Sequence, residues 1–455
     1  MDYGIFDIET DGLLNTMTKI HCMVVIDFTN GVRTIHKFTD IEDMRTYIRQ
    51  KKILIGHNIT RFDLPALSRI LRETIYNRPI DTLALSWYLY LKRKKHGLDE
   101  WGEDLGISKP PIKDWQNLSI EEYLHRCTTD CLINEKLFDL FLSNLKVLYS
   151  EAPENIDRVM GYLTYKLQCA AEQEELRWRL DVRTCEIGLE KLTKEFEERT
   201  QQLSSVMPKV IKYKIAKRPK VLHKKDGSVS SHGEKWFAIL KENNLPEHYV
   251  GDVKIPISEE PGNPGGTEQL KNWLFSLGWV PDVFKFVKED DGSIRKVPQI
   301  SEDGHLTESV KDLIDIEPNI EILGGYFMLR HRIGLLKGFL ENKSDDNHLM
   351  ASVAGFTNTL RFKHSIIVNL PKVSMPYGDI IRGCLIAPSD NHVLCGSDMS
   401  SLEDSTKQHY MYFFDPEYVQ EMRVPGFDPH NNIAKLAGFI GEDEEKFYQW
   451  YNSQK

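Results

Sequence analysis

Near the start of the sequence an apolar run ends in two acids: Tyr3-Gly4-Ile5-Phe6-Asp7-Ile8-Glu9-Thr10, followed by the turn pair Asp11-Gly12. Side chains alternate along a strand, so Asp7 and Glu9 point to one face. Two carboxylates on one face near a strand end repel each other. A bound cation relieves that repulsion, and hard divalent metals take oxygen ligands. Alone, the same spacing also suits an acid pair on the wet face of an edge strand.

Beyond this pair the chain has an α/β order. Ile20–Phe28 reads as a second strand, Thr29-Asn30-Gly31 as a turn and Val32–Phe38 as a third strand. Ile41–Gln50 is helix-like and Lys52–Gly56 a short buried strand. Early hairpins followed by alternation predict a mixed sheet. Asp63 opens the apolar-periodic segment Leu64–Leu71, as a helix N-terminal acid would. His96–Gly102 opens another helix, and Glu121–Asp130 precedes the helical stretch Cys131–Phe138.

The acids Asp7, Glu9, Asp63 and Asp130, with His125 five residues before the last, resemble the DEDD 3′→5′ exonuclease superfamily over about 150 residues. The resemblance implies a ribonuclease H-like fold and two Mg2+ (or Mn2+) ions held by the four acids. Two metals about 4 Å apart clamp the scissile phosphate in such chemistry. Proofreading domains of family A polymerases usually carry a Tyr base four residues before the last acid; here that residue is Arg126. His125 matches the histidine variant of the superfamily, and an imidazole suits a general base.

At 455 residues the chain is too long for one core, and two to four domains are expected. Its net charge of −10 means that contacts to nucleic acid need local basic patches. The seven cysteines are scattered without a C-x-x-C pair, which favours reduced thiols in a cytoplasmic setting, the host cytoplasm if the chain is phage-encoded. The N-terminus lacks the pattern of a signal peptide, and no run of about 18 apolar residues suggests a membrane span.

Residues 162–206 read as a helical hairpin broken at Leu180-Asp181-Val182, with Asp181 as N-cap. From Pro208 a basic insertion, about residues 206–262, interleaves lysines with β-branched residues, and Lys217, Arg218 and Lys220 are its candidate phosphate contacts. Lys235–Asn243 reads as a short helix, Glu268–Gly278 as a helix with Pro281 beyond it, and Tyr326–Leu340 as a basic-flanked helix. Asp290-Asp291-Gly292 and Glu302-Asp303-Gly304 punctuate the connector between the last two.

Further on stand Thr359-Leu360-Arg361, Val393–Asp398 read as a buried strand ending in acid, then Ser400-Ser401-Leu402-Glu403, and Asp428-Pro429-His430. From about residue 160 onward this ordered set resembles the start of the polymerase module of phage family A (DNA polymerase I-like) enzymes. The resemblance implies that Asp398 is the motif A metal ligand and that Glu403 packs near the sugar. It implies further that Arg361 contacts the primer or template backbone and that His430 reaches the incoming triphosphate. Asp404-Ser405 departs from the usual apolar-Arg pair after the motif A Glu. The basic insertion sits where some phage relatives engage a processivity partner.

The expected architecture is a ribonuclease H-like α/β exonuclease domain (1–150), a mostly helical thumb with connecting helices (151–345) and a partial α+β polymerase palm (346–455). Neither a fingers motif nor an H-D-E element occurs in the sequence. The expectation is the N-terminal part of a split or interrupted DNA polymerase, acting on single-stranded and primer-template DNA. It would use dNTPs only with a complementing C-terminal chain. The rivals are a free-standing exonuclease, a non-enzymatic replisome subunit and a truncated reading frame.

Overall fold

The computed structural model describes residues 2–112, 118–289, 291–302 and 305–438, with the side chain of His430 outside that set. The expectations at Asp290, Asp303-Gly304 and residues 439–455 therefore lie outside the described residues. The chain divides into two compact units, Met1–His392 and Val393–Lys455.

The first unit opens with β1 (Tyr3–Thr10), β2 (Ile20–Thr29), β3 (Val32–Phe38), α1 (Ile41–Gln50), β4 (Ile53–Gly56), α2 (Asp63–Leu71) and β5 (Arg78–Asp81). The five strands form one sheet in the order β3-β2-β1-β4-β5. β1, β2 and β3 pair antiparallel, while β4 pairs parallel with β1 and β5, so the sheet is mixed as expected. Alternation splits the strand residues between two cores. Phe6, Ile8, Met23, Val25 and Leu54 face α1 and α2, while Ile5, Cys22, Val24, Ile26 and Ile55 face the opposite side. Asp7 and Glu9 have the parity of Ile5 and so belong to that second face.

This second face is covered by α3 (Thr82–Leu89), α4 (Leu98–Leu105), α5 (Ile120–Leu148) and α6 (Asn155–Leu176). α5 starts at Ile120, eleven residues before the helical stretch read from the sequence, so His125 and Asp130 lie inside it. Ser119 caps it in a capping box with Glu122, which satisfies the first free N–H groups. Thr128 and Thr129 are accommodated because their hydroxyls donate to the carbonyls of Leu124 and His125 one turn back. The core beneath α5 runs without a break into α6 and on to Val353 and Phe356.

The expected helical hairpin is interrupted by β6 (Trp178–Leu180) before α7 (Val182–Val206), with Asp181 capping α7 by accepting from the Thr184 N–H. β6 is a strand because it has partners on both sides, drawn from about 170 and 200 residues downstream. After α7 come β7 (Val210–Ala216), α8 (Ser231–Glu242), β8 (Val253–Glu260) and α9 (Thr267–Ser276). β7 and β8 pair antiparallel into a ribbon. Next stand the hairpin of β9 (Phe284–Lys288) and β10 (Ile294–Pro298), the short strands β11 (Ser301–Glu302) and β12 (His305–Leu306), α10 (Glu308–Lys311) and α11 (Tyr326–Asn342). Then β13 (His348–Leu349), β14 (Val353–Phe356), β15 (Phe362–His364), α12 (Gly378–Gly383) and β16 (Leu385–Ile386) close the first unit, with β13 and β16 flanking β6.

The second unit contains α13 (Leu402–Met411), α14 (Pro416–Met422) and α15 (Pro429–Leu436). Val393–Asp398, expected as a buried strand, is exposed and irregular, with Val393 88% exposed. A strand needs a neighbour for its backbone N–H and C=O groups, and no described residue pairs with this segment. Among the described residues no helix is long and apolar enough to cross a membrane.

Candidate metal centre

Three of the four predicted acids converge. Ligand oxygens of Asp7, Glu9 and Asp130 all lie within 4.8 Å of one another. β1 supplies Asp7 and Glu9 through its alternation, and its pairing with β2 shifts register between Glu9 and Thr10. Such bulges re-aim side chains at the end of a strand. Asp130 comes from the buried stripe of α5, which rests on β1 and β2. Two thiols set the helix on the sheet: Cys127 donates to the Asp7 carbonyl at 3.1 Å and Cys131 to the Val24 carbonyl at 3.3 Å.

Asp63, buried at the first position of α2, stands beside this trio rather than in it. Its charge raises the pKa of Asp7. The loop before Asp63 is organised by Asp81, which is fully buried. Asp81 accepts from the Asn58 and Thr60 N–H groups, the Thr60 hydroxyl and the Leu83 N–H, and it caps α3.

The electrostatics are those of crowded acids. Burial first, then the charges of Asp130 and Asp63, push Asp7 well above the usual carboxylate range. Burial and Asp130 push Glu9 up to about 7, against the opposing pull of Arg126 and Lys109. Burial pushes Asp63 up to about 7, and Asp130 is likewise raised by burial. Lys109 Nζ stands 3.0 Å from Asp130 Oδ1 as an ion pair, and that buried oxygen meets no donor in hydrogen-bond geometry among the described residues. Oxygen-only donors, an orphaned carboxylate oxygen and mutual repulsion fit a hard divalent cation.

The two residues considered for the base differ in direction. A helix turns about 100° per residue, so the position four before Asp130 lies about 40° from it and the position five before lies about 140° from it. Arg126 is accordingly on the acid side, its Nε 3.8 Å from Glu9 Oε1, while its Nη1 donates to the Pro110 carbonyl at 3.1 Å. His125 is exposed on the outer side of α5. Lys109 and Asp99 were not singled out in the sequence. Lys109 lies in a Pro-flanked loop after α4 with no periodic or motif signal, and only folding brings it to Asp130.

The remaining predicted residues are dispersed. Lys217, Arg218 and Lys220 are exposed just after β7. Within the same ribbon Lys209 and Lys212 pair with Glu259 and Glu260, which offsets part of the basic charge. Arg361 is exposed in the turn between β14 and β15, its backbone N–H donating to Thr357 Oγ1. Asp398 is exposed in the irregular segment and Glu403 lies in the first turn of α13, both in the second unit. His430 is in α15, and its side chain is outside the described residues.

No family model matches the sequence. Two curated relatives do, the DNA-directed DNA polymerases of Enterobacteria phage T3 and Escherichia phage T7. Each is 24% identical over 532 aligned positions, which cover 94% of this chain and 72% of the relative. A solved structure of the polymerase domain of Pol1 from M. smegmatis, in complex with DNA primer-template and dNTP, aligns with a TM-score of 0.49 and 12% identity. That alignment covers 84% of this chain and 54% of the solved one, about half its length.

Proposed function

We propose that this chain, which belongs with the phage-type family A DNA polymerases, carries a 3′→5′ proofreading exonuclease in residues 1–150 and holds primer-template DNA with the rest of its length. The observation that carries the exonuclease reading is the convergence of Asp7, Glu9 and Asp130, with Asp63 buried beside them. Together they would hold two Mg2+ or Mn2+ ions, which when bound supply water activation and charge neutralisation at the leaving 3′ oxygen.

The protein's own groups have separable tasks. Asp7, Glu9 and Asp130 present oxygens from two rigid elements, so the donor set is positioned before a ligand arrives. Asp81 orders the loop that delivers Asp63. Arg126 holds a permanent positive charge beside Glu9, where the charge of a terminal phosphate would collect. His125, proposed as general base from its spacing, faces solvent, and the base role there would need it to turn toward the acids.

On the polymerase side the reading rests on the family resemblance. Asp398 is the first palm acid, Glu403 the sugar neighbour, and Arg361 and His430 the backbone and triphosphate contacts. A complementing C-terminal segment would bring the fingers helix and the second acid that Asp398 needs to handle dNTPs. The β7–β8 ribbon with Lys217, Arg218 and Lys220 is the proposed seat of backbone contacts or of a processivity partner.

The test is digestion of a 5′-labelled single-stranded oligonucleotide by the full chain with and without Mg2+. A ladder that shortens from the 3′ end only with metal is the expected result. Intact substrate, or products independent of metal, would remove the exonuclease assignment.

A further inference from the structure

The acid cluster is already in contact with a cation that belongs to the protein. Lys109 Nζ lies 3.0 Å from Asp130 Oδ1 and 3.2 Å from Asp99 Oδ1. Its side chain is 13% exposed, whereas that of Asp99 is 66% exposed. Lys109 therefore bridges an inner acid of the metal centre and an outer acid at the rim. Arg126 closes the arrangement from the other side, with Nη2 3.9 Å from the same Asp99 oxygen and Nη1 donating to the carbonyl of Pro110, the residue after Lys109.

We propose that Lys109 is a tethered counter-ion that occupies Asp130 when metal is absent and withdraws to Asp99 when a divalent ion takes its place, so that Lys109 and Asp99 together set the metal concentration at which the centre fills. This inference rests on the exonuclease reading of the acids.

Lys109 and a divalent ion would compete for one carboxylate. An ammonium carries one charge and three donors on a flexible stem, and it can exchange acid partners without movement of its backbone. A hard divalent ion would bind the same Asp130 carboxylate at shorter range, and two cations on one carboxylate repel. Lys109 meets Asp130 Oδ1 and Asp99 Oδ1 at nearly equal distances, 3.0 and 3.2 Å, so giving up the inner acid leaves it still paired at the rim. Asp99 supplies the alternative seat, because an ammonium released into a half-buried rim with no acid nearby would lose its ion pairing altogether. Holding the acids with an internal cation also spares the metal-free protein the full repulsion of its carboxylates.

The experiment uses the full chain, stripped with EDTA and dialysed, at one fixed pH. Uptake of Mn2+ is read by calorimetry and by metal-dependent thermal stabilisation, so no activity measurement is needed. Lys109→Gln removes the competitor: its Mn2+ midpoint should fall about tenfold, with a lower melting temperature in EDTA. Asp99→Asn removes the alternative seat and should raise the midpoint several-fold. Because Asp99 is exposed, this variant folds even if Lys109→Gln does not. In the double variant the Asp99→Asn effect should largely disappear, since Lys109 is no longer there to be parked. Equal midpoints in wild type and Lys109→Gln, or an undiminished Asp99→Asn effect in the double variant, would overturn the inference while leaving the metal centre intact. A wild-type chain that takes up no Mn2+ at all would instead remove the exonuclease reading beneath it.

Discussion

The thiol of Cys127 on α5 donates to the backbone carbonyl of Asp7 on β1, sulfur to oxygen 3.1 Å. Less than one helical turn separates Cys127 from Asp130, so this contact sets the phase that turns Asp130 toward Asp7. The hydrogen bond uses the main chain of Asp7, which leaves its carboxylate directed to the cluster. Substitutions of the acid side chains should therefore leave the α5–β1 contact in place.

On that basis Asp7→Ala with Glu9→Ala should lower metal-dependent 3′→5′ degradation by about a thousandfold or more, with an unchanged circular dichroism spectrum. Digestion of a labelled oligonucleotide at the wild-type rate would mean that the active acids lie elsewhere.

Arg126→Ala should reduce the exonuclease rate by about 10- to 100-fold, whereas His125→Ala should change it only a few-fold. The reason is helical phase: Arg126 faces Glu9 and His125 faces solvent. Single-turnover kinetics on both variants decide the order. The opposite ranking would restore His125 as the base and require α5 to rearrange near its start.

The metal-free protein should be more stable at pH 5 than at pH 8. Asp7, Glu9, Asp63 and Asp130 all have raised pKa values, about 7 for Glu9 and Asp63, while unfolded carboxylates titrate near about 4. Between those values the folded state keeps protons that the unfolded chain has released, so stability falls as pH rises through the window and levels off above it. Melting temperatures in EDTA should drop from pH 5 to pH 8, less so in Asp7→Asn with Glu9→Gln, and Mn2+ at pH 8 should recover the loss. A wild-type melting temperature that does not move with pH relative to that variant would contradict the assignment.

Asp81→Ala should cost about 2–4 kcal/mol in stability, because it strands two buried backbone N–H groups and a half-buried one and removes a helix cap. It should also weaken Mn2+ uptake through the displaced Asp63 loop. Urea unfolding is the check; a change under about half a kcal/mol would mean that the loop finds other acceptors.

Charge reversal at Lys217, Arg218 and Lys220 should weaken binding of unrelated DNA sequences to the same extent and flatten its dependence on salt. An unchanged slope of affinity against salt would exclude these three as backbone contacts and leave the ribbon to a protein partner.

Local chemistry made much of the first 80 residues legible. Strand alternation placed Asp7 and Glu9 on one face, the turn residues marked the hairpin, and the 3.6-residue period marked α1 and α2 with Asp63 at its start. Asp181 was readable as a cap because a cap acts within three residues of itself. The order of motifs along the chain was enough to point to family A polymerases, since order does not depend on knowing distances. What the sequence could not carry were relationships made across long separations. α5 begins at Ile120 because Ser119 and Glu122 cap it, yet its phase against β1 and β2 depends on cysteine contacts about 110–120 residues apart. β6 is a strand only because β13 and β16 arrive on either side. Val393–Asp398, with an equally strand-like composition, has no such neighbour among the described residues and is not a strand. Lys109 reaches Asp130 by tertiary folding alone, since a single lysine in a proline-flanked loop has no periodicity to reveal its partner. Propensity and alternation act over a few residues and are written into the sequence. Partner choice for a strand edge or a buried charge is settled by which distant groups desolvate together, and only the tertiary structure decides that.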